Sequence, residues 1–155
     1  MKINALYGLL GIILIISGCD SSMVYDKSNS IKDTVWNRNS RQEFFVEITD
    51  TTDYNNIYVN LRHTGLYPYS NLYIFLKTTL PSGQSSTDTL EMILADDNGR
   101  WYGSGLGDVK SYSIPYRNKV KFTHSGLYIF EIEHAMRDAD LKGILNVGIR
   151  VEKFK

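Results

Sequence analysis

The chain has 155 residues and a mass of 17.7 kDa, which suffices for one domain with a sizeable hydrophobic core and hardly for two. It contains 17 Lys plus Arg and 17 Asp plus Glu, so it has neither the basic excess of a nucleic-acid-binding protein nor the acidic excess of a disordered tail. A single cysteine excludes an internal disulfide, so the fold must be stable without one.

The first element in the chain is an apolar run that is typical of a signal peptide. Residues 5–16 (ALYGLLGIILII) carry no charge, and twelve residues are too few for a membrane-spanning helix, which needs about 20. Residues 16–19 (ISGC) resemble a bacterial lipobox, in which the cysteine is joined to diacylglycerol and the signal is cut before it. We predict a signal peptide over residues 1–18, cleavage between Gly18 and Cys19, and lipidation of Cys19. A plain signal peptide with an incidental cysteine and a short membrane anchor are the alternatives.

The stretch after the cysteine is polar and has no periodicity. We interpret residues 19–40 as a lipidated N-terminus and tether that docks on the domain near Val35 and Trp36. A flexible chain over residues 20–35 spans roughly 20–24 Å. The domain is therefore expected close above a bilayer, held there by the acyl chains on Cys19.

From residue 41 to the end, hydrophobic residues recur with a period of two, which is typical of strands with one buried face. The seven alternating runs are centred on residues 44–48, 57–61, 72–76, 90–94, 120–122, 128–132 and 145–151. A short eighth strand is expected around Trp101–Ser104, and turn sequences such as Asn98-Gly99 separate the runs. The pattern predicts that residues 41–155 fold by themselves into an all-β domain, an antiparallel β-sandwich of about 7–8 strands that is Ig-like or jelly-roll-like.

One segment of the domain lacks alternation. His134–Lys142 (HAMRDADLK) has the composition of a short helix and is followed by Gly143, a residue that commonly ends helices. We predict one short helix or an ordered crossover near residues 134–142.

Motifs that would indicate catalysis or metal binding are not found, so we predict that the protein is not an enzyme and holds no metal or cofactor. The chain has no G-x-S-x-G or H-E-x-x-H sequence, and His63, His124 and His134 lack the spacing of a metal site. Asp96–Gly99 fits a hairpin turn better than a calcium loop. Gly103–Asp108 fits a bulged loop with close backbone packing better than a phosphate loop.

Aromatic residues are concentrated in residues 67–73 (YPYSNLY), where three tyrosines surround a proline. Exposed rings on a sandwich loop can stack on sugars or on a protein partner. The alternative is a loop that folds down on its own tyrosines. The candidate contact residues from this region are Tyr67, Tyr69 and Asn71, with Trp101 as a further aromatic candidate.

Several blocks of the sequence, in this order and spacing, resemble the gliding motility lipoprotein GldH family. They are residues 61–64 (LRHT), 67–73 (YPYSNLY), 88–90 (DTL), 94–103 (LADDNGRWYG), 126–128 (GLY), 134–137 (HAMR) and 147–150 (VGIR), together with the lipobox. The resemblance extends from Cys19 to Phe154. It implies a lipoprotein of the bacterial cell envelope, periplasm-facing or on the cell surface, that supports the gliding machinery and the protein secretion tied to it. The family has no established catalytic residues, so none is carried over.

The residues leave two functions of different classes open. The first is an assembly or scaffold lipoprotein that contacts other gliding and secretion proteins of the envelope. The second is a cell-surface glycan-binding module that uses residues 67–73 and Trp101. Solvent-facing, coplanar rings would distinguish the second function from the first.

Four further contact candidates lie in the blocks that most resemble the family: Arg62, His63, Met136 and Arg137. An arginine beside an apolar side chain is a common composition of a protein-contact hot spot. The structural alternative is that Met136 closes the end of the sandwich while Arg137 pairs with Asp138 or Asp140.

Overall fold

The computed structural model describes residues 22–155, which fold into two four-stranded antiparallel sheets and a small two-stranded one. The strands are β1 (Met23–Ser30), β2 (Val35–Asn37), β3 (Gln42–Ile48), β4 (Tyr54–His63), β5 (Asn71–Thr79), β6 (Ser85–Ile93), β7 (Lys110–Lys121), β8 (Gly126–His134), β9 (Asp140–Lys142) and β10 (Ile144–Lys153). A 3₁₀ turn at Lys32–Thr34 is the only helical segment in this part of the chain. The prediction of an all-β fold is confirmed.

The strand order identifies the sandwich as a jelly roll. Sheet 1 has the order β1-β10-β4-β7, and sheet 2 has the order β3-β8-β5-β6. Four antiparallel pairs are nested along the chain, β5 with β6, β4 with β7, β3 with β8, and β1 with β10. Such nesting arises when one long hairpin folds over on itself, which is the path of a jelly roll rather than of an Ig-like sandwich.

The core lies between the two sheets because alternate side chains of each strand face inward. In β3, Phe44, Val46 and Ile48 are buried while their neighbours are exposed. Val59 of β4 and Ile149 of β10 meet them from sheet 1, and both are fully buried. Burying each such side chain contributes about 1.5–3 kcal/mol, so this alternation supplies most of the driving force for the sandwich.

Residues 22–40 belong to the domain, which corrects the predicted tether. β1 pairs with β10 along its length, and β2 pairs with β9 to form the two-stranded sheet. Trp36 is fully buried, and its indole N–H donates to the carbonyl of Ser40 at 2.8 Å. The folded part of the chain therefore begins near Ser22 instead of residue 41. The predicted signal peptide, its cleavage position and Cys19 lie outside the described residues.

The segment predicted as a helix or crossover is a crossover. β8 continues to His134, residues 135–139 form a loop, and the chain then enters β9. A helix does not form because β9 pairs with β2, which extends the backbone at Asp140–Lys142. Gly143 follows β9 with a positive φ of 82°, as a turn into β10 requires.

The region before β7 is a loop, so the expected short strand at Trp101–Ser104 is wrong. Trp101 and Ser104 each form one isolated bridge, the first with Ala95 and the second with Ser111. Gly103 lies so close to this partner that a Cβ would be 2.3 Å from the Ser111 carbonyl oxygen. The predicted bulged loop with close backbone packing is therefore confirmed.

The sandwich has two distinct poles. β1 begins and β10 ends at one of them, which we call the N-terminal pole; its connections are residues 49–53, 80–84 and 122–125. We call the other the distal pole; its connections are residues 31–41, 64–70, 94–109 and 135–143. Connections at the N-terminal pole have four or five residues, whereas those at the distal pole have between seven and sixteen. Long connections on a rigid scaffold are where binding residues concentrate, which directs attention to the distal pole.

Candidate functional site

Three of the predicted contact residues form an aromatic cluster inside the distal pole. His63 and Tyr67 are 0% and 1% exposed, and the half-buried Trp101 meets the His63 ring edge-on with 4.6 Å between ring centroids. The Tyr67 hydroxyl donates to the carbonyl of Asn71 at 2.8 Å, and burial raises the pKa of this hydroxyl far above its usual range. His63 and Tyr67 are therefore packing residues, which corrects their assignment as surface contacts.

The tyrosines of residues 67–73 do not form a flat platform. The rings of Tyr67 and Tyr69 meet at 74°, in a T-shaped arrangement with centroids 5.7 Å apart. Trp101 packs on His63, so it does not extend a row of exposed rings. The loop has folded down on its own tyrosines, and the geometry expected of a sugar-stacking loop is not present there.

The two buried histidines end different strands, His63 in β4 and His134 in β8, whereas His124 is exposed at the N-terminal pole. His134 packs edge-on against Trp36 with 5.3 Å between ring centroids. Burial lowers the pKa of His63 and of His134, so both rings resist protonation in the folded state. Within residues 22–155 no three side chains of His, Cys, Asp or Glu converge as metal ligands.

The other candidates from these loops meet on one exposed surface at the distal pole, centred on Met136. Two adjoining concavities of about 350 and 850 Å³ share Ala135, Met136 and Arg137 in their walls. We call this region the Met136 surface, and define it by Arg38, Tyr69, Asn71, Tyr73, Phe75, Met136 and Arg137.

The loop of residues 135–139 is held in place by Arg38, a residue of the connection before β3. The Arg38 guanidinium donates to the carbonyl of Met136 at 2.8 Å and to the carbonyl of Arg137 at 2.5 Å. A charged donor on two carbonyls makes strong hydrogen bonds. The backbone of the Met136 surface is thus fixed by a side chain almost a hundred residues earlier in the sequence.

The opposite side of the same loop is held by the segment around β5. The Tyr69 hydroxyl donates to the Asp138 carboxylate at 2.5 Å, and the Ala135 N–H donates to the Tyr73 carbonyl at 2.7 Å. The sulfur of Met136 accepts the backbone N–H of Tyr73 at 3.3 Å. The side chains of the Met136 surface therefore stand on a rigid support.

Arg137 carries an exposed positive charge without an ion-pair partner among the described residues. Its proposed partners are engaged elsewhere: Asp138 accepts the tyrosine hydroxyl described above, and Asp140 accepts the Asn37 side-chain amide at 2.6 Å. That part of the structural alternative is wrong. Met136 is half-buried and packs against the core, so it closes the end of the sandwich and also presents its outer part to solvent.

A closed charge network borders the Met136 surface on sheet 2. Arg41 pairs with Glu131 at 2.6 Å and with Glu133 at 2.5 Å, and Lys77 pairs with Glu131 at 2.8 Å. The hydrogen bond from Lys77 and that from Arg41 lower the pKa of Glu131, which is only 8% exposed. The network links residue 41, just before β3, to β8 and β5, and its two positive and two negative charges cancel. Arg38, Glu43 and Arg137, which line the larger concavity with it, make no ion pair among the described residues.

Arg62 lies on another face, although it is adjacent to His63 in the sequence. It borders a groove of about 660 Å³ on the outer side of sheet 1, together with Ser28, Asn60, Ser111, Ser113 and Asn146. The Ser113 hydroxyl donates to Asn60 at 2.6 Å, and Asn60 donates to Asp26 at 3.0 Å. Arg62 makes no ion pair within residues 22–155, so the groove combines hydroxyls and amides with one free guanidinium.

Sequence reasoning did not assign Arg38 or Phe75 to the surface, and it included Tyr73 only as part of residues 67–73. Arg38 was placed in the tether, and its position beside Arg137 depends on long-range pairing. Tyr73 and Phe75 are 36% and 44% exposed on the outer phase of β5. Their exposure could have been predicted from the sequence, because an aromatic residue that alternates with the buried residues of a strand faces solvent.

Comparison with known proteins gives a consistent result. The sequence model of one family, described as GldH lipoprotein, matches residues 23–151. The chain is 38% identical over 148 residues to a protein of Christiangramia forsetii named "Gliding motility lipoprotein GldH homolog", covering 91% of this chain and 90% of that protein. It is 35% identical over 152 residues to the "Gliding motility lipoprotein GldH" of Flavobacterium johnsoniae, covering 94% and 93%. Residues 22–155 contain no helix that is long and apolar enough to cross a membrane.

Proposed function

The chain belongs to the GldH lipoprotein family, and we propose that it is a lipid-anchored protein of the bacterial cell envelope that supports gliding motility and the protein secretion tied to it. In this proposal the sulfur of Cys19 is joined to diacylglycerol, and the signal is then cut between Gly18 and Cys19. The domain acts as an assembly or scaffold component by binding another envelope protein rather than by catalysis. The names of both relatives support the motility and lipoprotein parts of the proposal.

The observation that carries the scaffold role is the composition of the Met136 surface. Tyr69, Tyr73, Phe75, Met136 and Arg137 belong to the residue types that are enriched at protein interfaces. They surround concavities rather than a flat face, which suits the insertion of side chains from a partner. Arg137 supplies a charge that no residue of the described chain neutralises.

Rigidity of this surface favours binding further. The loop of residues 135–139 is tied to Arg38, to Tyr69 and to the backbone of Tyr73. A partner would therefore not need to order the loop, and the entropy cost of association would be small. We place the partner site on the Met136 surface for this reason.

The experiment compares Arg137→Ala with Arg62→Ala, since both arginines are exposed and neither makes an ion pair in residues 22–155. Each variant is expressed in a strain lacking the gene, and gliding, secretion and the melting temperature of the purified protein are measured. Truncation of a hot-spot arginine costs at least about 2 kcal/mol of binding. We expect Arg137→Ala to impair gliding and secretion with an unchanged melting temperature, while Arg62→Ala restores both.

A photo-crosslinking residue at each of these positions provides a direct readout. The Arg137 position should capture an envelope protein in living cells, and the Arg62 position should not. Full rescue by Arg137→Ala together with no captured protein would contradict the scaffold role of the Met136 surface.

A second candidate function is recognition of a glycan in the groove beside Arg62. Hydroxyl and amide side chains with one free guanidinium suit a hydroxyl-rich ligand that carries a negative charge. The same pair of variants separates the two functions. Loss of function in Arg62→Ala with rescue by Arg137→Ala favours the glycan, and purified protein should then bind acidic glycans in a manner that Arg62→Ala abolishes.

A further inference from the structure

The N-terminal pole carries two exposed aromatic rings on either side of a lysine. Tyr54 and Phe154 are 48% and 45% exposed. The Lys119 ammonium lies 5.6 Å from the centre of the Tyr54 ring and 5.4 Å from that of Phe154. The Phe154 N–H donates to the Tyr54 carbonyl at 2.7 Å, which fixes both rings on one surface.

The lysine in this group is held by an irregular piece of backbone. Lys119 has a φ of 52°, in the left-handed region that residues other than glycine rarely occupy. Its N–H donates to the Asn56 side chain at 3.0 Å, where the register between β4 and β7 shifts. The ammonium group is therefore positioned between the rings by the fold.

The charges at this pole differ in how they are compensated. Lys153 pairs with Asp53 at 2.7 Å and with Asp50 at 3.5 Å. Lys119, and Lys121 opposite Tyr54 in the strand register, make no ion pair among the described residues. We call Tyr54, Lys119, Lys121 and Phe154 the aromatic–lysine patch.

The chain that precedes the domain ends beside this patch. The carbonyl of Ser22 accepts the N–H of Lys153, the residue next to Phe154, at 2.8 Å. Cys19 is three residues before Ser22, and three residues span at most about 11 Å even when fully extended. A lipid on Cys19 would hold this pole, and no other part of the domain, next to the bilayer.

We propose that the aromatic–lysine patch is a membrane-contact surface. The rings of Tyr54 and Phe154 lie at the level of the lipid headgroups, and Lys119 and Lys121 lie beside lipid phosphates. Tyrosine is enriched at membrane interfaces, and lysine covers apolar surface with its stem while its charge stays in the polar layer. This inference rests on the proposed anchor at Cys19 and adds an orientation, with the Met136 surface pointing away from the membrane.

The test uses the full-length acylated protein in phosphatidylcholine vesicles, with and without phosphatidylglycerol. Acylation blocks the sulfur of Cys19, so one introduced cysteine provides a unique thiol for a fluorophore. Thr123→Cys places the fluorophore at the N-terminal pole. Leu106→Cys places it at the distal pole, where the leucine is 92% exposed. Lipids with a spin label in the headgroup region quench a fluorophore that lies near the bilayer.

We expect quenching to be several times stronger at position 123 than at position 106, and stronger still with phosphatidylglycerol. Combining Tyr54→Ser, Phe154→Ser and Lys119→Glu should weaken the quenching at position 123 several-fold, because the acyl chains then hold the pole near the bilayer without the rings entering the headgroup layer. Leu66→Ser, which removes a leucine that is 73% exposed at the distal pole, is the matched control and should leave the difference intact.

Equal quenching at the two positions, or quenching at position 123 that is unchanged in the triple variant, would overturn the inference. Lys119→Glu alone provides a second variant with little risk to folding, and it should weaken the effect of phosphatidylglycerol. The mass of the protein reports acylation independently. A chain without the acyl mass contradicts the anchor and this inference together, whereas an acylated chain without the quenching difference contradicts this inference alone.

Discussion

Removing residues 22–40 should unfold the domain, although every alternating strand after residue 41 would remain. The largest single loss is Trp36, which is fully buried and packs on His134. Truncating a buried tryptophan costs about 3–5 kcal/mol, because a cavity is left where the ring had packed. The stability of a whole domain is about 5–15 kcal/mol, so this one residue accounts for a large share of it.

The truncation removes more than the indole. β1 contributes an antiparallel ladder of seven registered pairs to the edge of β10, and each net hydrogen bond of such a ladder is worth about 0.5–1.5 kcal/mol. Ile31, which is also buried, is lost, and β9 loses its partner β2. These losses together with Trp36 are comparable to the stability of the domain.

Three proteins test this reasoning: residues 22–155, residues 41–155, and residues 22–155 with Trp36→Ala. Far-ultraviolet circular dichroism and a urea titration measure their folding. We expect a cooperative transition for the first, a transition at clearly lower urea for the third, and none for the second. A cooperative transition for residues 41–155 at the same midpoint as for residues 22–155 would refute the assignment of residues 22–40 to the domain.

Three further predictions concern single sites. Burial lowers the pKa of His63 and of His134 below the 6.5 of a free histidine, so the stability that they contribute is present above about pH 6.5 and is lost as the pH falls below it. The melting temperature should therefore fall between pH 7.5 and pH 5, and a flat profile would contradict this. Cys19→Ser should leave an uncleaved precursor that incorporates no labelled palmitate, and any incorporation would show that the lipobox interpretation is wrong. Tyr67→Phe should cost about 1 kcal/mol in a urea titration, since it removes the hydroxyl that donates to the part-buried carbonyl of Asn71, while Tyr69→Phe should leave the midpoint nearly unchanged.

The strands that the sequence predicted well are those with one fully buried face, which include the edge strand β3 of sheet 2. β3, β4, β5 and β8 each bury one face on the core, so their apolar residues recur with a clean period of two. The edge strands β1 and β7 bury much less, and β7 also contains Pro115. Edge strands tolerate polar residues and proline, so their sequences resemble loops. Most of β7 and the whole of β1 were missed for this reason.

The candidate site was predicted only in part because its contacts are long-range. Met136 and Arg137 were indicated by resemblance to a family, but nothing local shows that Arg38 holds their carbonyls. The sequence also did not show which of Tyr67 and Tyr69 is buried, because a loop has no periodicity that places one ring in the core and the other on the surface. Their burial depends on loop packing that no local pattern encodes.

The lengths of the connections give a physical reason to place membrane and partner at opposite poles. Eight strands form the two main sheets, and an even number returns the chain to the pole where it started, so Phe154 lies beside the segment that leads back to Cys19. Connections of four or five residues at that pole build a concavity of about 280 Å³, smaller than the two of the Met136 surface, and they leave rings and lysines exposed. The connections of the distal pole are longer, and Arg38 and Tyr69 bind residues of the 135–139 loop, which builds the walls of the Met136 surface. If the short anchor proposed for Cys19 holds the N-terminal pole against lipid, the surface best built for a protein partner is the one farthest from the membrane.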